Sequence, residues 1–255
     1  MKTKITKESR NLLIALLLGD GTISNNNVFK LSHCKEQRDY LEWKIKQLNN
    51  SGLRNNGLKE YISTKGYNTG KTVYYTQLNI IPFVKVLRRV FYKPYKKIGN
   101  RKLLNRLDAK GIAIWYMDDG HINYRTTNGK VHGFYIKIAT CMPKEELQII
   151  IDYFKEVWNI DFYMFHEGKK ENSYSLCCGT KEGIKFINIV KPYVFPVAIS
   201  FIIIIVVMAI LYRKLGVSKV ILNFVGYTLL VQAIYLSVIA LTRVEVNRFT
   251  MPVAI

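Results

Sequence analysis

Two short stretches constrain this chain more than anything else in it: LLIALLLGDGTIS at 12–24 and GIAIWYMDDGHIN at 111–123. Each reads as an apolar helix closing on an aspartate, Asp20 or Asp119, followed by glycine and strand-like residues. A helix C-terminus carries partial negative charge on its unpaired carbonyls, so a carboxylate there is repelled. One such ending is commonplace; two in the same context call for a shared cause. The aspartates lie 99 residues apart, and KPY at 93–95 returns at 191–193, an offset of 98. Two landmarks keeping one offset identify an internal duplication.

The elements between the landmarks agree. NVFKLSH alternates like a half-buried strand, and KEQRDYLEWKIKQLNN carries Tyr40, Leu41, Trp43, Ile45 and Leu48 at helical spacing. LKEYISTKGYNTGKTVYYTQLNI reads as a glycine-punctuated hairpin, and PFVKVLRRVFYKPY as a helix opened by proline. After Asp119, HINYRTTNGKVHGFYIKIAT is a hairpin with an Asn-Gly turn. PKEELQIIIDYFKEVWNI is an amphipathic helix, DFYMFHEGKKENSYSLCCG a second hairpin and KEGIKFINIVKPY a last helix. The order helix, two strands, helix, two strands, helix occurs twice. The fold class expected is α+β: tandem pseudo-twofold αββαββα halves with an appended C-terminal hydrophobic helical segment. The domains expected are 8–105, 106–196 and a tail at 197–255.

With helices on one face of each sheet, the other face is left for a partner. Alternation turns Phe29 and Leu31 toward the helices and Lys30 and Ser32 away. Tyr75, Gln77 and Asn79 share a face, as do Tyr135 and Lys137. Charge points to the partner. The chain carries 38 basic and 18 acidic residues, a net +20. From Val197 onward five bases face one acid, so +16 belongs to the two repeats. Such a balance favours a polyanion, and Lys, Ser, Gln, Asn and Tyr on a sheet face suit the edges of bases in a DNA major groove. The four cysteines and four histidines form no pair at metal-ligand spacing, which argues against zinc and for reduced, structural thiols.

If the two apolar helices pack side by side, with Ala15 and Gly19 permitting close approach, their C-termini bring Asp20 and Asp119 together. Two carboxylates at two negative helix ends repel strongly. Divalent cations relieve that repulsion, and oxygen ligands suit magnesium or manganese. Such a centre can hold scissile phosphates and activate water.

At these residues the chain resembles the LAGLIDADG homing endonucleases, in the single-chain, two-repeat branch whose second motif reads M-D-D-G. LLLGDG and WYMDDG correspond to the paired signature helices, and the resemblance covers roughly residues 8–196. It implies two αββαββα halves with DNA-binding sheets, and hydrolysis of both strands of a long, tolerant site leaving short 3′ overhangs. Asp20 and Asp119 are the implied metal ligands, with Gly19 and Asp118 at the preceding position, where the backbone carbonyl helps. The family often sets a lysine near each centre; KPYKKIGNRK supplies Lys97, with Lys96 beside it. In the second half Phe195 takes the place of Lys97 and Phe201 that of the lysine beyond KPY, a departure that bears on full activity. The implied partner is double-stranded DNA, bound by a monomeric pseudo-dimer that needs no protein partner. No intein splice motif flanks the repeats, so an intron-encoded or free-standing gene is expected, acting wherever the target DNA lies: an organelle matrix, or the cytoplasm of a bacterial or phage-infected host.

The tail differs. YVFPVAISFIIIIVVMAILY at 193–212 has no charge, and 220–242 is nearly as apolar, so each is long enough to cross a bilayer. A transmembrane hairpin and membrane association through 193–242 are therefore expected, the tail being a fusion onto a nuclease whose own end was lost. A competing reading keeps the fold and drops the chemistry: a nucleic-acid-binding maturase or repressor. The intact aspartate pair speaks against it, because a pure binder has no use for that repulsion.

Overall fold

The computed structural model describes residues 5–64, 66, 69–78, 81–92, 99–168 and 172–194. The chain divides into two units, Met1–Val194 and Phe195–Ile255. The second unit, and with it the expected membrane hairpin, Phe195 and Phe201, lies outside the described residues. Among the described residues no helix is long and apolar enough to cross a membrane.

The first half runs α1 (Lys7–Leu18), β1 (Thr22–Ile23), β2 (Phe29–Cys34), α2 (Arg38–Asn50), β3 (Lys59–Ile62), β4 (Thr72–Gln77) and α3 (Pro82–Phe91). A short helix, α4 (Arg101–Leu104), leads into the second half. There α5 (Ala109–Asp119), β5 (Gly120–Thr127), β6 (Lys130–Met142), α6 (Lys144–Trp158), β7 (Tyr163–His166), β8 (Tyr174–Gly179) and α7 (Thr180–Val190) follow. The two four-stranded sheets have corresponding orders, β1-β2-β4-β3 and β5-β6-β8-β7, with every neighbouring pair antiparallel. This is the duplicated αββαββα architecture that the sequence order predicts, with α4 connecting the two halves.

Local chemistry explains the key elements. Thr6 caps α1 by accepting from the Ser9 N–H at 3.0 Å, and Asp108 caps α5 by accepting from the Gly111 N–H at 2.8 Å. Leu12 to Leu18 are all buried, as are Ile112 to Trp115, so these two helices form the core of the first unit. Helices apolar all round belong in a core rather than at a surface. The β5–β6 hairpin turns on Asn128 and Gly129, both at positive φ, 51° and 74°.

Candidate active site and nucleic-acid interface

The motif helices α1 and α5 pack against each other and are tied at both ends. At their N-termini the Asn11 amide donates to Asp108 Oδ1 at 2.8 Å and accepts from the Asp108 N–H at 3.1 Å. At their C-termini the Asp20 N–H donates to Asp118 Oδ2 at 3.1 Å. The end of the first motif therefore bonds directly to the end of the second. Gly19 makes this possible: a Cβ there would lie 2.1 Å from Asp118 Oδ2. Its role is more specific than close backbone approach, because the missing side chain leaves room for a carboxylate.

The adjoining acids have different surroundings. The Asp118 side chain is fully buried. Its Oδ1 accepts from Lys44 Nζ at 2.6 Å and from the Tyr40 hydroxyl at 2.7 Å. Asp20 is exposed, its side chain 39% accessible, with Oδ2 3.8 Å from Lys44 Nζ and 3.9 Å from His33 Nδ1. Asp119 is half-buried, and its Oδ2 accepts from the Trp115 indole N–H at 3.2 Å. Asp20 and Asp119 are thus delivered by adjacent helix ends, the Asp20 backbone held by Asp118 of the other repeat and the Asp119 carboxylate by Trp115 of its own helix. Among the described residues no group of three or more His, Cys, Asp and Glu is placed to hold a metal.

Neither motif nor alternation singles out Lys44 or His33, helical spacing gives Tyr40 only a place on α2, and the family resemblance gives Asp118 only a backbone-carbonyl role. Lys44 sits on the buried stripe of α2 between Leu41 and Leu48, and His33 continues the inward alternation of Phe29 and Leu31. That placement was the available signal: polar residues at positions the pattern reserves for core. The Lys44 ammonium also lies 3.0 Å from His33 Nε2 and 4.3 Å from the centroid of the Tyr40 ring. His33 Nδ1 faces Gln37 Oε1 at 3.0 Å, so a neutral ring with its proton on Nδ1 donates to Gln37 and accepts from Lys44. No buried side-chain polar atom among the described residues lacks a partner. Burial first, then the Lys44 ammonium, lowers the His33 pKa below the ordinary imidazole value. For Asp118 burial pushes upward, but the Lys44 charge and the bonds it receives outweigh that and hold it low. Burial and the neighbouring Asp118 carboxylate push the Tyr40 hydroxyl well up.

On β2 and β6 buried residues alternate with less buried ones. Lys30 opposes Gln77 and Ser32 opposes Tyr75 across β2 and β4, on the side away from buried Phe29 and Leu31. The Lys30 ammonium rests 4.5 Å from the Tyr75 ring centroid and 4.7 Å from that of Tyr61, a residue the alternation did not single out. In the second sheet Tyr135 and Lys137 share the face away from Ile136 and Ile138, with the Arg125 guanidinium 5.7 Å from the Tyr135 ring. Lys137, however, pairs with Glu167 at 2.7 Å and is only 14% exposed at its side chain, so its charge is already met. Asn79, Lys96 and Lys97 lie outside the described residues. The cysteines form no disulfide: Cys177 and Cys178 are buried, Cys34 half-buried and Cys141 exposed.

The model of the family described as LAGLIDADG DNA endonuclease matches residues 10–186. The chain is similar to Protein RecA of Mycolicibacterium chitae, 26% identical over 205 residues covering 76% of this chain and 46% of that protein. It is also similar to Protein RecA of Mycobacterium shimoidei, 25% identical over 206 residues covering 75% and 45%. It thus spans less than half the length of these curated relatives. Among solved structures it is similar to the homing endonuclease I-WcaI bound to its DNA recognition sequence, with a TM-score of 0.63 at 21% identity, covering 76% of this chain and 85% of that one. At that identity the likeness is one of fold.

Proposed function

Because the chain belongs to the LAGLIDADG DNA endonuclease family, we propose that it is a site-specific homing endonuclease that hydrolyses both strands of its DNA target and thereby promotes the spread of the intron or mobile gene encoding it. The observation that carries this reading is the bond from the Asp20 N–H to Asp118, which joins the C-termini of two helices that each end in a carboxylate. Nothing in the packing of a structural protein requires acids at two adjoining negative helix ends.

The donor set fits a hard divalent cation. Asp20 is open to solvent, Asp119 is half-buried, and both offer oxygen, as do the carbonyls of Gly19 and Asp118. Magnesium and manganese take few protein carboxylates and complete their shells with water and phosphate, so two acids suffice. When bound, such an ion supplies Lewis-acid stabilisation to the charge that develops on the scissile phosphate. The chain's own residues do the rest. Asp20 and Asp119 fix where the cation sits, and Trp115 orients Asp119. Lys30, Ser32, Tyr75 and Gln77 face outward to read base edges and phosphates, with Tyr135 and Arg125 on the second sheet. Asn79, Lys97 and the membrane-directed tail remain expectations for residues outside those described.

The test is a cleavage-based selection from a randomised duplex library, using the full chain with and without Mg²⁺. Metal-dependent cutting at a recurring sequence, abolished by Asp20→Asn or Asp119→Asn, supports the enzyme. A metal-independent gel shift with no cutting by the unaltered chain supports the maturase or repressor reading instead.

A further inference from the structure

The buried network around Lys44 lies behind the carboxylate pair, beside Asp20, and it crosses between the repeats. Lys44, His33 and Tyr40 come from the first repeat, Asp118 from the second. A lysine with a side chain only 1% exposed needs a reason. On α2 the buried residues Leu41, Lys44 and Leu48 are spaced by three and four. On α6 the same spacing is filled by Leu147, Ile150 and Phe154, all buried. The second repeat places isoleucine where the first places lysine, so an apolar side chain is compatible with that helix position. Similarly, the residue before the motif aspartate is Gly19 in the first repeat and Asp118 in the second. The network therefore exists once per molecule.

We propose that Lys44 is a positioning residue for the Asp20 arm of the metal centre. It anchors Asp118 Oδ1, and Asp118 Oδ2 accepts the Asp20 N–H, so the first motif's end is held at one place relative to the second's. The ammonium is held by Asp118, the unprotonated nitrogen of His33 and the face of Tyr40, with Asp20 Oδ2 3.8 Å away. A second bond from Tyr40 keeps Oδ1 from rotating toward solvent. The Asp119 arm is braced differently, by the indole of Trp115 on its own helix. Lys44 thus acts on the Asp20 arm through a bond between the repeats, while Trp115 bonds Asp119 within its own helix. This inference rests on the reading that Asp20 and Asp119 hold a cation.

Charge and position predict opposite effects, and that separates them. Lys44 Nζ lies 3.8 Å from Asp20 Oδ2, so on charge alone its removal would strengthen capture of a cation. Loss of positioning weakens it, because outer-shell partners of metal ligands typically govern affinity by about tenfold or more. The experiment uses the full chain and Mn²⁺ as probe, followed by electron paramagnetic resonance, with amide hydrogen exchange at Asp20 measured in parallel. For Lys44→Met we expect Mn²⁺ affinity to fall about tenfold, and Asp20 exchange to accelerate while the Asn11–Asp108 end is unchanged. Mn²⁺ binding as tight as or tighter than in the unaltered chain, or an unchanged Asp20 amide, overturns the proposal. Asp20→Asn tests the underlying reading separately: if it binds Mn²⁺ normally, the metal assignment fails, while the exchange arm still decides the clamp. Should Lys44→Met not fold, Tyr40→Phe removes one bond to Oδ1 without uncovering a charge. It is expected to shift both readouts in the same direction by a smaller factor, and no shift in either overturns the proposal.

Discussion

Gly19 and His33 illustrate how much a single residue contributes near the helix junction. A methyl at Gly19 would occupy the space of the Asp118 carboxylate, which is already fixed by three donors. Gly19→Ala is therefore expected to lower the unfolding free energy by about 2–3 kcal/mol, measured as a shift of the urea midpoint at constant m-value. His33 sets a pH dependence. Its folded pKa is lowered, by burial first and by Lys44 second, so it stays neutral while a histidine of the unfolded chain gains a proton as the pH falls through about 6.5. The unfolded state then binds more protons, and stability drops on acidification by up to about 1.4 kcal/mol per pH unit from that point down to the lowered folded pKa, where the loss levels off. Urea midpoints compared at about pH 7.5 and 5.5 should show this loss, and His33→Gln should reduce it.

At the scale of elements, the two outer sheet faces make different demands on the same residue type. Lys30 stands over two tyrosine rings with no carboxylate opposite it in the ladder, whereas Lys137 is paired with Glu167. Lys30→Ala is expected to weaken DNA binding and reduce the log–log salt slope by about 1. Lys137→Ala should leave the slope nearly unchanged, and Glu167→Gln should raise affinity by releasing a cation; fluorescence anisotropy titrations at several salt concentrations check all three. The same strands show what was legible beforehand. Period-two alternation placed Phe29 and Leu31 inward and Lys30 and Ser32 outward, because a strand with one buried face admits a single register. The Asn128–Gly129 turn and the proline opening α3 were readable from backbone chemistry alone. The pairing of Lys137 with Glu167 was not, since it depends on which residue of β7's hairpin returns beside β6. Nor was the burial of Lys44: a lysine on a helix is ordinarily solvated, and its counter-ion lies 74 residues further along the chain.

For the molecule as a whole, a net charge of +20 makes any complex with DNA strongly dependent on ionic strength. Each phosphate neutralised contributes roughly 0.9 to the slope of log affinity against log salt, and a slope near zero would show that the charge serves something else. The family match over 10–186 and the repeated topology agree on a molecule made of two like halves. Yet those halves are not interchangeable. Two copies of the first would set glycine against glycine where Gly19 meets Asp118, leaving a hole and depriving each Lys44 of its 2.6 Å bond to a buried carboxylate. Two copies of the second would press two buried carboxylates together with no ammonium between them. Expressed as separate polypeptides, the halves should accordingly choose each other over themselves, so that a chain built on symmetry carries in one glycine and one aspartate the instruction to mate only with its opposite.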